Sequence, residues 1–528
     1  MDTILAGKIL IYSTLTPHPR TTTMSDASPE KPVPLDPGSL QQFVSSLPED
    51  ATRAVEAVTQ QLAAILASEM EASQRLANTS LLDETIQPRV RQLLQEYLHQ
   101  PRSGRAEEIR AWTPLHSFWT TLAQVYYQCL ALATNKENAA KPLQARLPLI
   151  VIRFIVAIDE CLKYKYFHYA SIPKEYWAQV GFAYLVAEKA GFAEKSLQVY
   201  PGPGGISSPH REYLKILFFQ TASLNSLQSA EIELADRLIA QMLPYCEFSP
   251  QKNEQNLYWV DIGSTAEPSR INNMPPVAPH LRYFHPGDSI RRLQLLVQEA
   301  ETANAVPAKI GRGENFSLGN FLNVVRHLES QWAATPPQRQ HERHNVKHRV
   351  SVLPGFVNSF VMTSPEFGGK PMGLPLENWV VENVSRGGFG AVVQRHKGEW
   401  IKVGALLALQ PEGADKWVIG IIRRVQRVSD NEIKIGIETL SRRIAPLEIR
   451  SRAGNPEPTV APGTPALWLQ DDDPKEPIRF LFPARTFKQG EDLEFDYNGR
   501  RILLAPVKLL EQGSDYDLAT YKATVAAG

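Results

Sequence analysis

Three cysteines, Cys129, Cys161 and Cys246, are scattered through 528 residues with no C-x-x-C spacing. Such a set excludes a disulfide framework and a cysteine-built zinc site, and it points to a reducing compartment. Charge of one sign is equally wanting, with 56 Lys and Arg standing against 56 Asp and Glu. A chain without net charge exerts no overall pull on DNA or an anionic membrane, so any anion site has to be local. Long hydrophobic runs are also missing. The longest, LPLIVIRFIVAI from Leu147, is interrupted by Arg153 and is short for a membrane span; it reads as a buried helix. Near the start, LAGKILIYSTL is too short and too broken for a signal peptide, and Asp2 sits where positive charge belongs. Met24 is a second candidate start. Together these absences predict a soluble, cytoplasmic protein with no membrane span.

What is present is a globular balance, 43% hydrophobic and 21% charged, in a chain too long for one core. Residues 1–36, rich in Thr, Ser and Pro, predict a disordered tail. Residues 37–334 carry helical periodicity in segment after segment, AVEAVTQQLAAILASEMEASQRLA being the clearest, and strand-like alternation is scarce. Within them WAQVGFAYLVAEKAG sets Trp177, Val180, Gly181, Tyr184, Ala187 and Gly191 at the spacing of a tetratricopeptide-type hairpin. That spacing predicts a small-residue face on which two helices approach closely. No second copy follows, so an array is excluded and a single helical domain of the interaction type is expected.

Near residue 335 the texture changes. TPPQRQHERHNVKHRV is basic and poor in apolar residues until Val350, the composition of a linker. Short alternating runs follow, including ENWVVENV, GAVVQ, ALLALQP, WVIGIIRRVQRV and EIKIGIETL. They predict an all-β domain over 335–452, of a size that suits a small antiparallel barrel. A Pro-rich break then leads to a short β-rich extension, 453–528. The expected fold class is therefore multidomain, α then β.

The stretch VENVSRGGFG, residues 381–390, places Asn383, Ser385 and two glycines between apolar runs, and a hairpin turn is the plainest account of it. A kinase-type glycine loop fails, because no HRD or DFG triplet follows. A metal site from His341, His344 and His348 lacks a carboxylate or cysteine at ligand spacing, so solvated histidines are expected.

A third pattern joins the linker to the turn. Arg339 and Arg343 form R-x-x-x-R, and Asn383, Ser385 and Gly388 form N-x-S-x-x-G, in that order around the β region. The pair resembles the two signatures of the PilZ domain family, and GALLAL, GIIRR and IGIETLS are similar to its later strands. The resemblance covers about residues 336–450 and implies a six-stranded antiparallel barrel that binds cyclic di-GMP, a bacterial second messenger. The residue types suit such a ligand on their own account. An Arg fork donates to guanine O6 and N7, stacks on the base, or meets phosphate. Asn383 and Ser385 supply oxygens for the guanine N1 and N2 donors. Gly388, without a β-carbon, would let the backbone approach the ligand or take a positive φ. Arg423 and Arg424 follow Gly420 on an expected strand, so alternation should turn one of them to the ligand as a phosphate partner. Two departures stand out: the long loop TSPEFGGKPMGLPLE between the motifs, and Gln338 where many members place another Arg. The second leaves open whether one ligand or a pair is held.

No nucleophile–base pair, paired carboxylates or metal cluster stands out, so a receptor is expected and not an enzyme: no catalytic residues, no metal, no cofactor beyond the ligand. Nucleotide binding at the barrel would reorient the helical domain or alter its contact with a protein partner. The competing expectation is a degenerate barrel that serves only as a protein-interaction module. Binding of single-stranded nucleic acid is disfavoured, because the β region has few aromatics for base stacking.

Overall fold

The computed structural model describes residues 34–99, 105–135, 141–202, 205–272, 278–311, 316–336, 338, 341–364, 373–394, 400–429, 431–452, 460–470 and 477–525. They divide into two compact units. One takes in the described residues of Met1–Gln100, Glu108–Cys161 and Val186–Pro209, the other those of Pro101–Glu107, Leu162–Leu185 and His210–Gly528. Residues 1–33 of the expected tail, Arg339, and residues 365–372 of the loop between the motifs lie outside the described set. Among the described residues no helix is long and apolar enough to cross a membrane.

The first unit is built from the helices Pro37–Ser45, Ala51–Ala67 and Ala72–His99, with the larger parts of Arg105–Thr134 and Leu147–Phe167. Asp36 and Asp50 cap the first two, accepting from the backbone N–H of Ser39 at 3.0 Å and Arg53 at 2.8 Å. Each cap satisfies a donor that the first turn leaves without an intrahelical partner. A two-residue ribbon, β1 (Leu197–Gln198) with β2 (Ile206–Ser207), completes the unit.

The second unit holds strands before residue 330 that periodicity did not announce. β3 (Glu247–Ser249), β4 (Tyr258–Asp261), β5 (Ser269–Arg270) and β6 (Leu281–His285) form an antiparallel sheet in the order β3-β6-β4-β5. With two to five residues each, these strands are too short to show an alternation. The sheet also corrects the expected use of Gly181. A β-carbon there would lie 2.2 Å from the carbonyl oxygen of Ile262, just past β4. The small residue therefore admits a strand end, not a second helix.

The β region closes into a barrel. β7 (His344–Pro354), β8 (Glu377–Ser385), β9 (Gly388–Gln394), β10 (Leu406–Pro411), β11 (Val418–Ser429) and β12 (Glu432–Ser441) run in the ring order β7-β8-β9-β12-β11-β10, every pair antiparallel. β7 begins at His344, six residues before the first buried side chain, in what composition reads as linker. Its first half pairs with β8 alone, water reaches it, and so it is polar where a core strand would be apolar. Val350, Val352, Trp379, Val381, Ile422 and Ile435 fill the interior.

The C-terminal β-rich part is itself closed. β13 (Ile444–Ser451), β14 (Thr464–Leu469), β15 (Ile478–Pro483), β16 (Leu493–Tyr497), β17 (Arg500–Gln512) and β18 (Tyr516–Val525) make a second six-stranded barrel. β13 falls in the range expected for the first barrel, yet it pairs with β14 and β16 of the second. Leu353, Leu406, Ala408, Ile419 and Ile421 on the first barrel pack with Leu467, Leu469, Leu481 and Leu518 on the other.

The charge that interrupts the longest apolar run is buried in the first unit with its own partners. Arg153, 2% exposed, donates to the carbonyl of Val199 through Nε (3.0 Å) and Nη2 (2.8 Å), to the Tyr126 hydroxyl (3.1 Å) and to Glu84. Tyr126 in turn donates to Asp83 at 2.7 Å. Burial raises the Asp83 carboxyl to about 6, outweighing the nearby Arg153 and the hydrogen bonds from Tyr126 and Gln87. A carboxyl that binds its proton more tightly folded than unfolded stabilises the fold below its unfolded pKa, and that contribution is lost as pH rises through the folded value. The unit should therefore lose about 2 kcal/mol of stability between pH 4 and pH 7. Denaturant unfolding across this range should show that decline, and Asp83→Asn should flatten it.

Candidate ligand-binding site

The question raised by VENVSRGGFG resolves first as backbone. β8 and β9 form a hairpin whose last pair is Ser385 opposite Gly388, leaving Arg386 and Gly387 as a two-residue turn. The turn is tied to the end of β12, where the Thr439 N–H donates to the Gly387 carbonyl at 2.9 Å. A β-carbon on Gly388 would lie 1.9 Å from the Ile437 carbonyl oxygen, and Gly388 is not among the residues with positive φ. Its bare Cα permits the close approach of β9 to β12, and the left-handed turn that was one expected use of this glycine is not adopted. Gly390 serves the site more directly. It faces Asn383 across the hairpin, and a β-carbon there would lie 2.6 Å from both polar atoms of the Asn383 amide. The amide can lie over the strand only because Gly390 is bare.

Arg343 stands immediately before β7, and the β7–β8 register sets Asn345 opposite Asn383. The entrance segment thereby reaches the turn: a β-carbon on Gly387 would lie 3.0 Å from the His341 ring. A pocket of about 410 Å3 opens at this rim, and Arg343, Asn383, Ser385, Gly388, Arg423 and Arg424 all line it, joined by Gln426, Lys434, Gly436, Glu438 and Glu382. Its volume is in the range of small-molecule sites. His341, His344 and His348 are exposed, and among the described residues no metal-ligand cluster includes them.

Two bulges shape the wall. β11 pairs Ile422 with Ile437 and Arg424 with Gly436, so Arg423 is an extra residue; β8 pairs Val381 with Ala391 and Asn383 with Gly390, so Glu382 is another. Bulges break alternation and re-aim side chains. That is why Arg423 and Arg424, expected on opposite faces, both reach the pocket.

Their surroundings differ. Arg423 is held between carboxylates, its Nε 2.6 Å from Glu438 and its two terminal nitrogens 2.8 and 2.7 Å from the oxygens of Glu511 on β17. Burial weakens its hold on the proton, but Glu511 and Glu438 more than reverse this, and its pKa is raised. Arg424 is exposed and faces a neutral partner. With the Asn225 amide oriented to satisfy both groups, its oxygen accepts from Nε at 2.9 Å and Nη2 at 3.0 Å. Among the described residues Asn383 Oδ1 is buried without a hydrogen-bond partner, and the Ser385 Oγ bond to the Gly388 carbonyl is long, at 3.4 Å. A buried acceptor left unpaired is costly, and a donor from water or a bound molecule would satisfy it. Four cationic side chains against two carboxylates leave the lining positive, although the whole chain is neutral.

Sequence reasoning missed Gln426, Lys434, Glu438 and Asn225. Gln426 and Lys434 could have been found, since they face each other two residues beyond the Arg424–Gly436 pair on the same side of the sheet. Asn225 left no local signal, being about two hundred residues away in the chain.

A closed six-stranded antiparallel barrel, with a basic entrance segment and an N-x-S-x-x-G hairpin sharing one pocket, is a barrel of the PilZ class. Two family models agree. Residues 38–252 match the N-terminal domain of the cyclic-di-GMP receptor FimW, and residues 374–446 match the middle PilZ domain of the same receptor. The chain belongs to this receptor family. No curated protein matches it.

The two glycines of the hairpin should separate stability from site geometry. Gly388→Ala forces β9 off a backbone oxygen and should cost about 1–3 kcal/mol in denaturant unfolding. Gly390→Ala meets only the movable Asn383 amide, so its unfolding midpoint should fall less while the pocket is disturbed.

Proposed function

We propose that the first barrel binds cyclic di-GMP and that the chain acts as a cytoplasmic receptor, not an enzyme, whose helical region answers to a protein partner. The observation that carries this reading is the convergence on one positive pocket of Arg343 and the N-x-S-x-x-G hairpin, with an unpaired buried acceptor on Asn383, in a barrel of that receptor family.

The residues divide the work by chemistry. Asn383 Oδ1 and Ser385 Oγ accept from the N1 and N2 donors of guanine. Arg339 and Arg343, on the segment that enters the barrel, donate to O6 and N7 or stack on the base. Arg424 and Lys434 meet phosphate; Arg423, already matched to two carboxylates, holds the wall. Residues 335–343 join the helical region to β7, so arginines that close over the nucleotide change the freedom of that join. A ligand shifts such an equilibrium only by its different affinity for the two states. The domain limits that fit this reading are 37–334 for the helical part, a first barrel from about 335, and a C-terminal barrel after it.

Calorimetric titration of cyclic di-GMP into the full chain tests the reading. Saturable binding is expected, weakened at least about 100-fold in Arg339→Ala/Arg343→Ala by the loss of charge-assisted hydrogen bonds. A flat trace from folded wild-type protein would overturn it and favour a barrel that serves only protein contacts.

A further inference from the structure

Arg424 belongs to two sites at once. It lines the pocket, and it is clasped by Asn225 in the single 3-10 turn Leu224–Ser226, which packs on β11. The segments flanking that turn are secured independently. The Leu227 carbonyl accepts from the Tyr169 hydroxyl at 3.1 Å, and Tyr169 is buried with the barrel's own core. On the other side the Ala222 carbonyl lies 2.6 Å from His327 Nε2. Between these anchors the chain turns through Ser223 at φ 52°, a left-handed conformation unfavourable for a residue with a side chain. A strained turn is thus fixed to β11 by an amide oxygen that shares its guanidinium with an anion pocket.

Resting on the cyclic di-GMP reading, we propose that nucleotide phosphate and Asn225 compete for Arg424, so that ligand binding frees the Leu224–Ser226 turn from β11. A phosphate oxygen carries a full charge where the amide carries a dipole, and it makes the stronger, bidentate bond to the guanidinium. Once Asn225 loses Arg424, the strain at Ser223 favours relaxation of the turn, while Tyr169 and His327 keep its ends in place. The change is local, and it carries pocket occupancy to the helical part of the same unit. Coupling is reciprocal: whatever the ligand does to the clasp, the clasp does to the ligand.

Two variants of opposite sign test this in the full-length chain. Asn225→Ala removes the competitor and should tighten cyclic di-GMP binding about fivefold to tenfold, while Asn225→Asp makes the clasp ionic and should weaken it by a similar factor. Hydrogen exchange gives the second readout. Saturating ligand should speed exchange of the Ser226 and Leu227 amides in the wild type. Asn225→Ala should show that speed without ligand, and Asn225→Asp should show it at neither condition. Wild-type binding with unchanged exchange, or with affinities that do not move in opposite directions in the two variants, would overturn the competition alone. A wild type that binds no nucleotide would remove the receptor reading and this proposal together.

Discussion

β10 and the first half of β11, Val418–Ile422, are buried on both faces, and the placement of the site depends on that. Leu407, Leu409 and Ile422 point into the first barrel, while Leu406, Ala408, Ile419 and Ile421 point out into the second. Each of these leucines and isoleucines contributes roughly 1.5–3 kcal/mol by leaving water. A strand buried on one side can slip only by turning its apolar set outward. One buried on both sides cannot slip without breaking two cores. The register of β11 is therefore fixed, the bulge at Arg423 is fixed with it, and two successive arginines are delivered to one rim. The continuous apolar text of GALLAL has the same cause, since a strand with no wet face has no reason to alternate.

The two barrels repeat one design. Numbered in chain order within each, the strands close in the same ring, 1-2-3-6-5-4. The hairpin that joins the second and third strands of the first barrel carries Asn383, Ser385 and Gly388, and the sequence between the corresponding strands of the second does not repeat that motif. The shared topology thus says nothing about shared binding. What distinguishes the barrels is the chemistry at one rim, and the second contributes to the first barrel's wall through Glu511.

Much of this was legible in the chain. Helical periodicity, the succession of helices by strands, the hairpin at Asn383–Gly388 and the R-x-x-x-R and N-x-S-x-x-G motifs follow from spacing and residue type. What was not legible has three physical causes. The strands β3–β6 are too short to carry a period. The start of β7 reads as linker because it has one neighbour and no buried face. The bulges at Glu382 and Arg423 depend on pairing with distant strands, and strand alternation, the one rule available from sequence, assigns Arg423 and Arg424 to opposite faces where the bulge sends both to one. The glycines teach the same lesson. Gly388 and Gly181 were rightly singled out as places needing no side chain, but the neighbours that require it, Ile437 and Ile262, lie far along the chain.

The neutral balance of the whole chain also acquires a meaning at this rim. Arg423 and Arg424 are adjacent and identical in charge, yet one is matched by Glu438 and Glu511 and the other by an uncharged amide. Exchanging a phosphate for the carboxylates around Arg423 would leave two anions, Glu438 and Glu511, without their cation. Exchanging it for Asn225 strands only an amide that can turn to water. The bulge therefore does more than crowd positive charge together. It separates a cation held by carboxylates of both barrels from one held by an amide, and under the proposed exchange only the second reports that an anion has arrived.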